Sequence, residues 1–279
     1  MPFGGDNAES YYDEGLTLTM KGDFQAAIAR FDKALQLDPS LNAALYQLGR
    51  CHLRLGNGEQ AVKILTRAVA LMPRLVTAKT DLGYSLFLGN QIENARRTFA
   101  DVLEIKPDQA FAILGLAYCA FHQRQWDTAM NLADRVVGTG AERFESLYLA
   151  GRAAHMQKMD QTATGRLHAA DKILDQMIEA GPDQPEGYFL RGQILCLCRE
   201  YNAALEAFRA AEDHAKPDIH YSAYHEHFEL IDILAGQGYC LRKLRRDADA
   251  QAIARRMLTL KPDSKRAQQI LGGSTGEET

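Results

Sequence analysis

The sequence lacks a surplus of basic residues, a long apolar run and abundant proline. Its 32 Lys and Arg against 36 Asp and Glu give a net charge of −4, which argues against a nucleic-acid partner. No apolar run is long enough for direct membrane insertion. Proline contributes only eight of 279 residues. The chain contains long stretches rich in Ala, Leu, Gln, Arg and Glu and lacks the extended alternation of apolar and polar residues that is typical of strands. These features predict an all-α protein.

Cysteine is also scarce, and the five cysteines lack the spacing of a disulfide framework. An odd number of scattered thiols is typical of a reduced, cytoplasmic protein. The first ten residues contain neither a basic region nor an apolar segment, so no secretory signal is expected. Cys196 and Cys198 point to nearly opposite sides of a helix and therefore do not form a metal-binding pair.

Signatures of catalysis are missing as well. There is no Walker-type phosphate loop, no His-Glu-x-x-His and no nucleophile elbow, so we expect no enzyme activity and no cofactor. Four of the eight histidines nevertheless fall within residues 214–227. If this segment is a helix, His220 and His227 lie roughly 10 Å apart along its axis and His225 is turned away from both. Only His225 and Glu229, one helical turn apart, are placed to bind the same ion. Because two ligands alone make a weak site, we predict no metal site.

What the sequence does contain is a period of 34 residues. A small residue recurs at this interval through five units and then after 41 and 46 residues, at Gly15, Gly49, Gly83, Ala117, Gly151, Gly192 and Gly238. An alanine follows each of the seven after twelve residues. Small residues let two helices approach closely where they cross, so each unit is predicted to be an antiparallel helix pair.

The segment "AESYYDEGLTLTMKGDFQAAIARFDKALQLDPS" (8–40) resembles a tetratricopeptide repeat (TPR). The resemblance implies an α-solenoid, a right-handed superhelix of about seven helix-turn-helix repeats, over residues 8–263. The predicted repeats are 8–41, 42–75, 76–109, 110–143, 144–184, 185–230 and 231–263. A capping helix is expected over 264–271, a flexible N-terminus over 1–7 and a disordered tail over 272–279.

Two units are longer than the regular period. The additional residues, seven in one case and eleven in the other, lie within 171–181 and 219–230. Both segments are compatible with a helix, and their lengths correspond to about two and three helical turns. We therefore predict that they extend the second helix of the fifth repeat and the first helix of the seventh. The two extensions are expected to pack over one edge of the solenoid or on each other.

The resemblance also implies a concave groove lined by the first helix of each pair. Aromatic and arginine side chains are favourable contacts for a peptide. The predicted groove residues are Tyr12, Tyr46, Arg50, Tyr84, Phe87, Tyr118, His122, Tyr148, Arg152, Phe189, Tyr239 and Arg242. For any single tyrosine, packing between repeats is an equal alternative. The Lys, Asn and Arg clamp with which some family members grip a terminal carboxylate is absent at the matching positions.

These observations predict a noncatalytic scaffold or adaptor that binds a peptide or helical segment of another protein in the groove. The alternative is a self-assembling protein that forms homo-oligomers through edge or terminal repeats. A metal-dependent or hydrolytic enzyme is a third class, supported only by the histidine cluster. The sequence leaves open whether the groove or the edge formed by 171–181 and 219–230 is the main binding surface.

Overall fold

A computed structural model describes residues 7–136, 141–217, 219–223 and 226–272. Within these ranges the chain forms fifteen α-helices and one two-stranded β-hairpin. The helices divide into two compact units, Met1–Val137 (unit 1) and Gly138–Thr279 (unit 2). Among the described residues, none of the helices combines the length and apolar character needed to cross a membrane.

Both units are built from consecutive helices that pack on their neighbours in the sequence. Unit 1 contains α1 (Ala8–Met20), α2 (Phe24–Leu37), α3 (Asn42–Arg54), α4 (Gly58–Leu71), α5 (Val76–Leu88), α6 (Ile92–Ile105), α7 (Ala110–His122) and α8 (Trp126–Asp134). Unit 2 contains α9 (Ala141–Met156), α10 (Asp160–Ala180), α11 (Pro185–Leu197), α12 (Tyr201–His214), α13 (Leu230–Lys243), α14 (Asp247–Leu260) and α15 (Lys265–Leu271). The short turns make successive helices antiparallel, so each unit is a stack of helix pairs.

The recurring glycines make room for a large side chain from the second helix of a pair. A Cβ atom added at Gly15 would lie 2.6 Å from the ring of Phe31, and one added at Gly83 would lie 2.5 Å from the ring of Phe99. The Phe99 ring also lies against Gly115, where an added Cβ would be 2.3 Å away. The periodic glycines therefore mark positions where an added side chain would collide with a large core side chain, which is a phenylalanine at Gly15 and Gly83 and a leucine at Gly49 and Gly151.

The turns inside the helix pairs share one backbone conformation. Gly22 has a positive φ of 79°, and the next residue, Asp23, caps α2 by accepting a hydrogen bond from the Ala26 N–H at 3.0 Å. In later pairs non-glycine residues adopt the left-handed conformation, with φ between 56° and 64°, at Asn90, Arg124, Lys158, Arg199 and Arg245. The geometry of the helix pair therefore imposes this conformation even where the residue type does not favour it.

The predicted helix over 219–230 is wrong, because this segment forms a β-hairpin. Strand β1 (Tyr221–Ala223) pairs antiparallel with β2 (Glu226–Phe228), with Tyr221 opposite Phe228 and Ala223 opposite Glu226. Side chains alternate between the faces of a strand, so one face of the hairpin carries Tyr221, Ala223 and Phe228. Ala223 and Phe228 are buried in unit 2, and the burial of this apolar face stabilises the two strands.

The hairpin also changes the geometry of the histidine cluster. His220 Nδ1 lies 2.7 Å from Glu229 Oε1, so His220 is a partner of this carboxylate. His225 itself lies outside the described residues. No described histidine of this segment belongs to a group of three potential metal ligands.

The other insertion is helical, and α10 continues through it to Ala180 for a total of 21 residues. Leu174, within the inserted part, is fully buried in a cluster that also contains Ala223 of the hairpin. The two inserted segments therefore border the same apolar cluster of unit 2.

Helix α15 closes the C-terminal side of unit 2. Ala267 and Ile270 are buried against α13 and α14, and Ser264 caps the helix by accepting a hydrogen bond from the Ala267 N–H at 3.3 Å. The predicted flexible N-terminus and disordered tail lie outside the described residues except for Asn7 and Gly272.

Candidate functional site

The predicted groove residues lie on the first helices of the pairs, but they differ in exposure. In unit 1 they are Tyr12 on α1, Tyr46 and Arg50 on α3, Tyr84 and Phe87 on α5, and Tyr118 and His122 on α7. In unit 2 they are Tyr148 and Arg152 on α9, Phe189 on α11, and Tyr239 and Arg242 on α13. Tyr84, Tyr148 and Phe189 are buried, and the others are partly or fully exposed.

Tyr84 connects two repeats of unit 1. Its side chain is 3% exposed, and its hydroxyl donates a hydrogen bond to the Phe111 carbonyl at 2.7 Å. Its ring meets the Phe99 ring edge-on, with centroids 5.0 Å apart. These contacts join α5 to α7, so Tyr84 acts in packing rather than as an exposed contact residue.

A polar junction joins α3 to α5. The Tyr46 hydroxyl donates a hydrogen bond to Asp81 Oδ2 at 2.8 Å, and Arg50 Nε lies 3.5 Å from the same oxygen. The Arg50 guanidinium also lies 5.6 Å from the centroid of the Tyr46 ring and donates to Gln47 Oε1 at 3.3 Å. Asp81 was not predicted as a site residue, yet its carboxylate orients the predicted site residues Tyr46 and Arg50.

Burial governs the proton affinities in this junction. It raises the pKa of the Asp81 carboxyl, although the hydrogen bond from Tyr46 and the charge of Arg50 act in the opposite direction. Burial, followed by the negative charge of Asp81, raises the pKa of Tyr46 to about 12. The phenol is therefore held in its protonated, donating form.

We expect Tyr46 to ionise well above the ordinary tyrosine value of 10.0. Because its folded-state pKa is raised, the stability that Tyr46 contributes is present below pH 10 and is lost as the pH rises through about 12. The tyrosinate absorbance difference between the wild type and Tyr46→Phe should have its midpoint near pH 12, with circular dichroism monitoring the fold. A midpoint near pH 10 would contradict the buried junction.

An aromatic patch adjoins this junction on α5 and α7. The ring centroid of Phe87 lies 6.0 Å from that of Tyr118 and also 6.0 Å from that of His122. Phe87 and Tyr118 are partly exposed, and His122 is exposed. We use the name unit-1 groove for the predicted contact residues of unit 1 that keep exposed surface, together with Asp81: Tyr12, Tyr46, Arg50, Asp81, Phe87, Tyr118 and His122.

In unit 2, the hairpin covers the corresponding surface. The Phe228 ring stacks on the Phe189 ring with centroids 3.9 Å apart and an interplanar angle of 14°. Ala223 belongs to the same buried cluster as Tyr148. Arg152 Nη1 donates a hydrogen bond to Glu226 Oε1 at 2.7 Å. Two predicted groove residues of unit 2, Phe189 and Arg152, are thus in direct contact with the hairpin of the same chain.

The last two predicted residues, on α13, lie beside charged and aromatic neighbours. Tyr239 meets Tyr201 with centroids 6.1 Å apart, and Lys243 Nζ lies 5.2 Å from the centroid of the Tyr239 ring. Arg242 Nη1 lies 3.2 Å from Asp247 Oδ1, which partly neutralises the basic end of this helix.

Comparisons with known proteins agree with this architecture. A tetratricopeptide-repeat family model matches residues 18–76. The crystal structure of a tetratricopeptide-repeat protein from Parabacteroides merdae superimposes with a TM-score of 0.60 at 13% identity, covering 96% of this chain and 99% of that one. The chain is built from tetratricopeptide repeats. The predicted all-α solenoid of TPR units is thereby confirmed, with the hairpin as a local addition.

The similarity to individual TPR proteins is distant. A TPR repeat-containing protein of Methanocaldococcus jannaschii is 22% identical over 213 residues, which are 74% of this chain and 37% of that protein. The structure of a human IFIT1 dimer with m7Gppp-AAAA has a TM-score of 0.73 at 16% identity, covering 95% of this chain and 61% of that one. The chain spans less than half the length of the curated relatives that it matches.

TPR proteins generally mediate protein–protein interactions and generally act as noncatalytic scaffolds. That general role agrees with a surface made of aromatic rings, an arginine and an anchored carboxylate. The repeats themselves do not identify a partner, because one fold serves many functions.

Proposed function

We propose that this chain is a noncatalytic interaction module that binds a segment of a partner protein in the unit-1 groove. The observation that carries the proposal is the difference between the two units. In unit 2 the hairpin stacks on Phe189 through Phe228 and accepts a hydrogen bond from Arg152 through Glu226. In unit 1 Phe87, Tyr118 and Arg50, on the equivalent first helices, keep part of their surface exposed.

The hairpin indicates what kind of segment suits such a surface. It offers an aromatic ring that stacks on Phe189 and a carboxylate that accepts a hydrogen bond from Arg152. The unit-1 groove contains the same two types of recognising group, with the rings of Phe87 and Tyr118 and the guanidinium of Arg50. We therefore propose a partner segment that carries an aromatic or large apolar residue near an acidic one.

This proposal is tested by selecting peptides that bind the full chain from a displayed library of random sequences. The affinity of a selected synthetic peptide is then measured by fluorescence anisotropy. We expect Arg50→Ala with Phe87→Ala to weaken binding at least about tenfold, because truncating a hot-spot residue at an interface costs about 2 kcal/mol or more and arginine is enriched among hot spots.

A matched control replaces the same residue class on the second helices of unit 1. Arg67 and Ile105 are both exposed, and Arg67→Ala with Ile105→Ala should leave the peptide affinity unchanged. Equal affinity for the wild type and the groove variant, or an equal loss in both variants, would refute the unit-1 groove as the binding surface. An enrichment of peptides without acidic residues would refute the proposed role of Arg50.

Self-assembly is the second candidate, and one observation supports it. Leu37, Leu71 and Ile105 follow one another at intervals of 34 residues near the ends of second helices in unit 1, and each is about half exposed. Such a row offers a second copy of the chain an apolar contact. Light scattering at increasing concentration distinguishes the candidates, since a constant monomer mass rules out self-assembly.

A further inference from the structure

Three side chains with metal-binding atoms lie together at the surface of unit 2. His168 is on α10, Cys198 ends α11, and Glu200 immediately precedes α12. Their ligand atoms all lie within 4.8 Å of one another, and His168 Nε2 is 2.7 Å from Glu200 Oε1. The His168 and Glu200 side chains are each 45% exposed, so an ion has access from solvent.

The turn between α11 and α12 directs two of these side chains toward the third. Arg199 between them has a left-handed backbone with a φ of 64°. Backbone hydrogen bonds from Arg199 N to the Cys196 carbonyl at 3.0 Å and from Glu200 N to the Leu195 carbonyl at 2.9 Å hold this turn. Glu200 is at the N-cap position of α12, but its side chain makes no capping hydrogen bond and meets His168 instead.

The donor atoms select the class of ion. An imidazole nitrogen, a thiol sulfur and a carboxylate oxygen together suit Zn²⁺, whereas Ca²⁺ and Mg²⁺ prefer sites made only of oxygen ligands. Ligand atoms around a tetrahedral Zn²⁺ lie roughly 3.3–3.6 Å apart, as follows from bond lengths of about 2.0–2.3 Å. The ligand atoms of His168, Cys198 and Glu200 now lie within 4.8 Å of one another, so side-chain shifts of about 1 Å bring them to these separations.

We propose that His168, Cys198 and Glu200 bind one Zn²⁺ ion, with water as the fourth ligand. The neighbouring Asp171 is not included, because its carboxylate accepts a hydrogen bond from Arg191 Nε at 2.8 Å. Zinc at this position ties α10 to the turn between α11 and α12, which joins two consecutive helix pairs. Binding to the folded chain alone therefore raises the thermal stability of unit 2.

Cys198 distinguishes this site from a simple contact between His168 and Glu200, which needs no thiol. The full chain, freed of metal and kept reduced, is titrated with Co²⁺ and then with Zn²⁺. A zinc site predicts a thiolate-to-cobalt charge-transfer band in the near ultraviolet at one equivalent, and its displacement by Zn²⁺. It also predicts a higher melting temperature in the presence of Zn²⁺ than in the presence of Mg²⁺.

Single substitutions assign the ligands. His168→Ala, Cys198→Ser and Glu200→Gln should each weaken zinc binding by at least about 10–100-fold, the loss seen when even an outer-shell partner is changed. Cys196→Ser is the matched control, because Cys196 is also a partly buried thiol at the end of α11 but does not belong to the cluster. Circular dichroism checks that each variant is folded.

Two outcomes overturn the proposal. One is a titration without a charge-transfer band, or with a band that persists in Cys198→Ser. The other is weak zinc binding that is the same in the wild type and in all three ligand variants, which identifies adventitious surface binding only.

Discussion

Phe228→Ala is expected to lower the free energy of unfolding of unit 2 by about 3–5 kcal/mol, as is typical for the loss of a buried phenylalanine. Phe228 is 2% exposed and stacks between Phe189 at 3.9 Å and Tyr221 at 5.4 Å. An isolated two-stranded hairpin is at best marginally stable in water, so these contacts keep the hairpin folded. Urea denaturation followed by circular dichroism measures the loss.

The matched control for this prediction is Ile219→Ala. Ile219 belongs to the same insertion but is 44% exposed, so its replacement should change the stability by no more than about 0.5 kcal/mol. A second measurement is cleavage by a protease within 219–229, which should accelerate in Phe228→Ala only. Equal stability of the two variants would mean that the hairpin does not depend on the surface of α11.

The Phe228→Ala variant also tests which of the two units contains the binding surface. If the unit-1 groove is the binding surface, Phe228→Ala leaves the affinity for a selected peptide unchanged. If affinity for the peptide instead rises, the hairpin competes with the partner, and the surface that it covers in unit 2 is the binding site.

Phe99→Ala is expected to have an effect of similar size in unit 1, again about 3–5 kcal/mol. The Phe99 ring is fully buried, fills the space over Gly83 and Gly115, and meets the Tyr84 ring in a T-shaped arrangement. One side chain of α6 thus contacts both α5 and α7, and its removal leaves a cavity between consecutive repeats. Chemical denaturation of the full chain measures the change.

Two further variants test the physical reason for this loss. Ile105→Ala, on the same helix but at a position that is 53% exposed, should be nearly neutral. Gly115→Ala should destabilise the wild type, because the added Cβ would lie 2.3 Å from the Phe99 ring, and should cost less in the Phe99→Ala background. Additive effects of the two substitutions would contradict the contact.

The helix pairs were predictable because they depend on local relations within each repeat. Gly15 and Phe31, or Gly83 and Phe99, are sixteen residues apart in the sequence and meet within one helix pair. Each unit packs chiefly on its sequence neighbours, so a regular spacing of small and large residues is sufficient to indicate the fold. The seven additional residues of α10 were predictable for the same reason, since they continue a helix that has already begun.

The hairpin was mispredicted because a helix and a pair of strands suit the segment 219–230 almost equally well. The alternation of His220, Tyr221, Ser222 and Ala223 was a signal for strands, but it covers too few residues to decide. The deciding contact is between Phe228 and Phe189, which lie 39 positions apart in the sequence. Such a contact has no periodic signature.

The sequence by itself determined that this protein consists of stacked helix pairs, and it indicated which columns carry aromatic and arginine side chains. Only the tertiary structure decided which of those side chains remain available. It buried Tyr84 against α7, covered Phe189 with the hairpin, and brought His168 to Cys198 and Glu200. The physical reason is the separation along the sequence between the residues in contact. The repeat pattern reflects packing between helices that are neighbours in the chain, whereas exposure and ligand geometry depend on contacts between residues that are distant in the sequence.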